Sequence, residues 1–216
     1  MIRHTGARAP GRAAAGEGDA KGGFRPVKAA YPLLAIMSLV LLTSCAPGIT
    51  STVYRDPNMD FGAIQTVGVM PFQNLTRETL AADRVRDVFI NRLLSTETLY
   101  VQPVGEVARA VGRLEIQTPT ALSPEDVVKL GGLLKAQAII TGAVLEYGEV
   151  RSGSSAANLV SVSVQIQEAQ TGRTVWTASS TRGGISVWDR LIGGGGRPMY
   201  DVTRDAVNDV IQKLFK

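Results

Sequence analysis

Few residues in this chain can do chemistry. Among its 216 residues there is one cysteine, Cys45, and one histidine, His4. Cys45 follows Leu42, Thr43 and Ser44 directly, behind an apolar run over residues 32–42. A short apolar core, small residues before a cysteine and basic residues upstream make up a bacterial lipoprotein signal. The run is too short for a membrane-spanning helix, which needs ~20 apolar residues. It is also no surface helix, because residues 33–40 are apolar on every side.

Leu42-Thr43-Ser44-Cys45 resembles the lipobox, in which signal peptidase II cuts before the cysteine. The resemblance implies that Cys45 becomes the first residue of the mature chain and carries thioether-linked diacylglycerol. Each buried lipid methylene contributes ~0.8 kcal/mol, so two or three chains make a lasting membrane anchor. Ala46 follows the cysteine, where enteric lipoproteins kept at the inner membrane have Asp. The expected place is therefore the outer membrane, with the domain in the periplasm.

Residues 1–44 are read as a signal peptide with an excess at its start. Residues 1–30 are rich in Gly, Ala and Arg without apolar periodicity. A whole signal usually takes ~15–30 residues. Translation from the Val27 codon would give Val27-Lys28-Ala29-Ala30-Tyr31 and then the apolar core, with residues 1–26 an artefact of gene annotation. A stop codon just upstream of codon 27 is then expected to leave protein levels unchanged. Loss of the protein would refute that start.

The net charge of +4 belongs to the leader. Six of the 23 Lys+Arg and two of the 19 Asp+Glu precede Cys45, leaving 17 of each after it. The mature chain thus offers no electrostatic case for nucleic acid as partner. It also has no histidine, and its one thiol is acylated. Histidine acid–base catalysis, cysteine nucleophiles, Cys/His zinc sites and disulfides are excluded. A serine nucleophile would have to use lysine or a carboxylate as base, and no Ser-x-x-Lys occurs. The glycines Gly193 to Gly196 lack the Lys and Ser/Thr of a phosphate loop. Glu125-Asp126 and Glu146/Glu149 suit helix capping and solvated strand ends. No catalytic residue, metal or cofactor is expected.

The elements follow from periodicity. Residues 45–60 read as a lipidated tether, broken by Pro47, Gly48, Pro57 and Asn58. Residues 61–216 read as one α/β domain. Residues 64–72 suit a strand buried on both faces, ended by Pro71. Residues 78–94 form a helix with Ala81, Val85, Val88, Phe89 and Leu93 inward. Its Asp83, Arg84, Arg86, Asp87 and Arg92 face water. A short strand at 99–103 and a weaker helix at 104–114 follow. Ser123-Pro124-Glu125-Asp126 is a helix start, with Ser as N-cap and Pro in the first turn. Gly131-Gly132 in that helix implies close packing on a sheet. Residues 138–147, 158–168 and 174–181 are strands, the second with Val160, Val162, Val164 and Ile166 inward and a wet Ser/Gln face. Residues 200–215 close the chain as a helix.

Three stretches resemble a family. Residues 67–76 look like the opening strand of curli-secretion lipoproteins of the CsgG type, residues 130–142 their helix-to-strand junction, and residues 169–176 their hairpin. GNA1162-like lipoproteins and LpoB-type activators are smaller relatives of that group. The resemblance implies a two-layer α/β domain with a mixed sheet, similar to CsgG and TolB N-terminal domains. It implies a non-enzymatic accessory in envelope assembly or secretion, with LpoB-like activation of a peptidoglycan synthase as the alternative. The expected partners are the membrane through Cys45, an envelope protein, and further copies of the chain. Residues 104–123 and 183–199 are too short or glycine-rich for the membrane hairpins of a secretion pore.

One apolar segment has two readings. Ile185, Val187, Trp188, Leu191 and Ile192 lie between glycine clusters. They are either a partner surface anchored by Trp188 or the edge of the core. As core, Trp188→Ala would cost ~3–5 kcal/mol. As partner surface, the same change would spare melting and abolish association.

Overall fold

The computed structural model describes residues 52–153, 155–184 and 196–216. Among the described residues there are seven strands: β1 (Val53–Arg55), β2 (Thr66–Val69), β3 (Gln73–Asn74), β4 (Tyr100–Val101), β5 (Ala138–Ser152), β6 (Ser155–Glu168) and β7 (Thr174–Gly183). Four α-helices accompany them: α1 (Ala81–Leu94), α2 (Val104–Arg113), α3 (Pro124–Leu134) and α4 (Met199–Leu214). The sheet runs β1-β7-β6-β5-β2-β4, with β3 also paired to β5. β2, β3 and β4 join by parallel pairing, whereas β5, β6, β7 and β1 form antiparallel pairs. The α/β class with a mixed sheet is therefore observed.

β2 and β3 are one interrupted strand. Val67 to Val69 pair with Ala138 to Ile140, and Gln73 and Asn74 pair with Ala143 and Val144. Pro71 has no N–H to give the ladder, so pairing lapses there and resumes two residues on. The turn after β3 is held by Asn74, whose side chain accepts from Thr76 N–H and donates to Glu78 O. That turn delays α1 to Ala81, three residues later than its expected start.

α3 begins as its sequence directs. Ser123 Oγ accepts the Asp126 N–H at 3.1 Å, and Pro124 occupies the first turn. α4 buries Val202, Ala206, Val207, Val210, Ile211 and Leu214, the stripe its spacing sets out. These residues join Ala81, Val85, Phe89 and Leu93 of α1 over Val67, Val69, Ile140, Val162, Val164 and Trp176 in the main core. A smaller core lies on the other face, where α2 and α3 cover Met70 and Ile139. The two-layer packing is thus joined by a third layer at one end of the sheet.

Three local readings change. The β5–β6 hairpin is longer than expected, extending from residues 147 and 158 to 152 and 155. A bulge between Val144 and Glu146 lets the pairing continue past the apolar stretch. Residues 53–55, read as tether, are strand β1 on the sheet edge. Arg86, read as facing water, is buried. Its guanidinium donates to Val69 O at 2.7 Å.

Candidate functional site

Cys45 and its cleavage residues Leu42, Thr43 and Ser44 lie outside the described residues, as do Ile185, Val187, Trp188, Leu191 and Ile192. The flanks of the latter segment are described. Gly184 N–H donates to Asn158 O at 2.9 Å, and Asn158 Nδ2 donates to Arg197 O at 2.8 Å. One β6 residue therefore holds both ends. Gly183 makes the exit, since its φ of 92° and a Cβ only 2.0 Å from Asn158 O admit no side chain.

At the other end of the chain, β1 is clamped. Asp56 N–H donates to Val175 O, and its nearly buried carboxylate pairs with Arg173 at 3.3 Å. Arg55 stacks over the Phe61 ring, 3.9 Å from its centre, and donates to Leu214 O. That bond places a cation at the negative end of α4. No apolar periodicity announces this clamp, because its contacts are made across 117 and 159 residues.

Two charged groups, one buried and one half-buried, have structural explanations. Arg86 is desolvated, which disfavours its charge, while Asp87 and Asp83 favour it. It satisfies a carbonyl that β4 leaves without a donor. Asp209 of α4 receives Lys213 at 2.5 Å and Arg182 at 2.6 Å. Burial pushes its carboxyl up, but the Lys213 hydrogen bond and the Lys213 and Arg182 charges outweigh this, and its pKa falls below the ordinary value. The buried Ser180 hydroxyl acts in the same direction from beyond good hydrogen-bond geometry. Serine, lysine and aspartate here do not form a nucleophilic site: Ser180 is 0% exposed, and Lys213 is committed to Asp209 and to Ser179 O.

This cluster predicts a pH dependence. A depressed carboxylate adds stability above the unfolded pKa of ~3.9, and that stability is lost as pH falls through the folded pKa. Asp209→Asn is expected to lower stability at neutral pH and to flatten its decline below about pH 4. Urea melts of both proteins across pH 2–7 check this, and parallel acid slopes would refute it.

Two grooves remain. One, of about 340 Å³, lies where α1 and α4 end, between Arg92, Asn208, Phe215 and Lys216. The other, of about 240 Å³, lies on the sheet face bearing Thr141, Ser163, Gln165 and Gln167, beside Gln73 and Leu122. Its lining carries no charge, and the Ser/Gln alternation of β6 is the sequence signal for its floor. Among the described residues, no group of His, Cys, Asp or Glu is placed to hold a metal ion, and no helix is long and apolar enough to cross a membrane.

No family model and no curated protein matches the chain. Solved structures do. A subunit of the PelC dodecamer from Paraburkholderia phytofirmans matches with a TM-score of 0.52 at 18% identity, over 76% of this chain and 98% of that one. The lipoprotein GNA1162 from Neisseria meningitidis matches at 0.50 and 17% identity, over 68% and 98%. The LpoB C-terminal domain from Salmonella enterica is a looser match, at 0.43 and 18% identity over 69% and 92%. At these identities the likeness is one of fold: the chain folds as the PelC subunit and the lipoprotein GNA1162 do.

Proposed function

We propose that this chain is a lipid-anchored, non-enzymatic accessory protein of the bacterial envelope, held at the outer membrane with its domain in the periplasm and working as an assembly of its own copies. The carrying observation is the likeness to the PelC subunit, which spans 98% of that chain and belongs to a dodecamer. The lipobox at Cys45 supports the anchor, and the GNA1162 lipoprotein has the same fold. Six residues separate Cys45 from Thr52, so the linker up to β1 reaches at most ~25 Å at ~3.3–3.6 Å per residue. An anchored domain so tethered keeps the β1 edge near the membrane.

Two measurements test the proposal. Cys45→Ala, or globomycin treatment, is expected to leave a soluble or unprocessed product. Unchanged membrane fractionation would remove the anchor. Protein extracted in mild detergent is expected to scatter light as a multimer, and a monomer at every concentration would remove self-assembly. Two finer roles were drawn from resemblance, a secretion accessory of the CsgG type and an activator of a peptidoglycan synthase. They part on a pull-down after envelope cross-linking, which captures secretion components in the first case and a penicillin-binding protein in the second.

A further inference from the structure

The tether and the β5–β6 hairpin leave the sheet in the same direction. β1 pairs antiparallel with β7, so its N-terminal end points the way β7 runs, toward Gly183. Thr52 is level with Ser179, whose N–H donates to Thr52 O, and Ser179 stands opposite Ser163 of β6. β7 ends at Gly183, opposite Leu159, but β5 and β6 run on to Ser152 and Ser155. From the level of Thr52, the tip of the hairpin is therefore eight β6 residues away, about 27 Å at ~3.4 Å each.

The tether is no longer than that. Cys45 is seven residues from Thr52, a reach of at most ~25 Å. An acylated cysteine lies at headgroup level, because its chains fill the hydrocarbon below. With the strands upright on the bilayer, a taut tether brings Cys45 about level with the tip. Any slack presses the tip into the surface.

The chemistry of the two ends agrees with this placement. Residues 148–157 carry two charges, Glu149 and Arg151, and these cancel in an ion pair at 2.6 Å. The rest are Gly, Val, Ser and Ala. Such a tip meets a bilayer without stripping water from net charge. At the far end the β6–β7 turn packs on the start of α3, where a Cβ on Gly172 would lie 2.4 Å from Pro124 O. Glu125 and Asp126 of α3 there join Glu168 and Arg173. A lipid contact at that end would desolvate each of them.

We infer that the tether seats the tip of the β5–β6 hairpin against the lipid headgroups, so that the strands stand on the bilayer and the β6–β7 turn points away from it. The inference rests on the lipid anchor proposed above.

The test uses the mature lipidated chain in vesicles of phosphatidylethanolamine and phosphatidylglycerol. Acylation occupies the one native thiol, so an introduced cysteine takes a fluorescent label at a single place. Arg151→Cys puts the label at the tip and Thr171→Cys puts it at the far turn, both at exposed positions. The two lie at opposite ends of β6, about 45 Å apart. Quenching by a nitroxide on the lipid headgroup is expected to be severalfold stronger at 151 than at 171. Equal quenching, or stronger quenching at 171, would overturn the inference. A spacer of about twenty Gly/Ser residues after Pro47 releases the domain and is expected to abolish the difference. A difference that persists would show that the tether does not seat the tip, and overturns the inference too. Flotation with the vesicles is read on the same samples. A chain that floats without quenching at 151 overturns this inference and leaves the anchor standing. A chain that does not float removes the anchor, and this inference with it.

Discussion

Trp176→Ala is expected to cost about 3–5 kcal/mol, the range for emptying a large aromatic site in a core. Trp176 lies on β7, 1% exposed, among the apolar residues that α4 covers. It stands opposite Ile166 of β6 and Arg55 of β1, so it backs both the meander and the clamped first strand. Its indole N–H has no partner. That loss is already present in the folded protein, so Trp176→Phe removes an unsatisfied donor along with some volume and is expected to cost much less. Each kcal/mol lowers the melting temperature by ~2–4 °C in a domain of this size. Chemical denaturation of the two variants measures the difference. A cost below about 1 kcal/mol for alanine would be foreign to a core role.

Gly131→Val is expected to destabilise by at least the ~1–3 kcal/mol typical of overpacking. A Cβ on Gly131 would sit 2.3 Å from Ala169 Cβ and 3.2 Å from its Cα. Neither can move freely, because Ala169 N–H is bonded to Gln137 O at 2.8 Å. The last turn of α3 must therefore lift from the β6–β7 turn, and α3 carries Val127, Leu130 and Leu134 of the smaller core. Gly132 is the control. A Cβ there meets nothing within 4 Å, so Gly132→Ala is expected to stabilise by ~0.5–1 kcal/mol through helix propensity. Equal effects at the two positions would show that α3 does not pack on Ala169 as described.

The two glycines also show how far local pattern reaches. Adjacent in sequence and identical in type, they both read as close-packed, and only one is. Helical rotation of ~100° per residue carries Gly131 to the sheet and Gly132 to solvent.

The sequence by itself determined whatever depends on neighbours along the chain. The stripes of α1 and α4, the Ser123 cap, the Pro71 break and the alternation of β6 all rest on periods of a few residues. The proposed lipobox ending at Cys45 is likewise read from four consecutive residues. Arg86 escaped that reading because charge on a helix defaults to water. It is buried because β4 ends at Val101 and the chain turns into α2 at Val104, whose N–H would follow that of Gln102 in the ladder, so Val69 O takes a donor from above the sheet. β1 escaped because three residues carry no period, and their partners lie beyond residue 170. The row of Thr141, Gln165, Thr177 and Tyr54, paired in turn across β5, β6, β7 and β1, is decided by register alone. A shift of one residue in any pairing would turn its side chains into the core, so only the folded sheet brings these four neutral groups into one line.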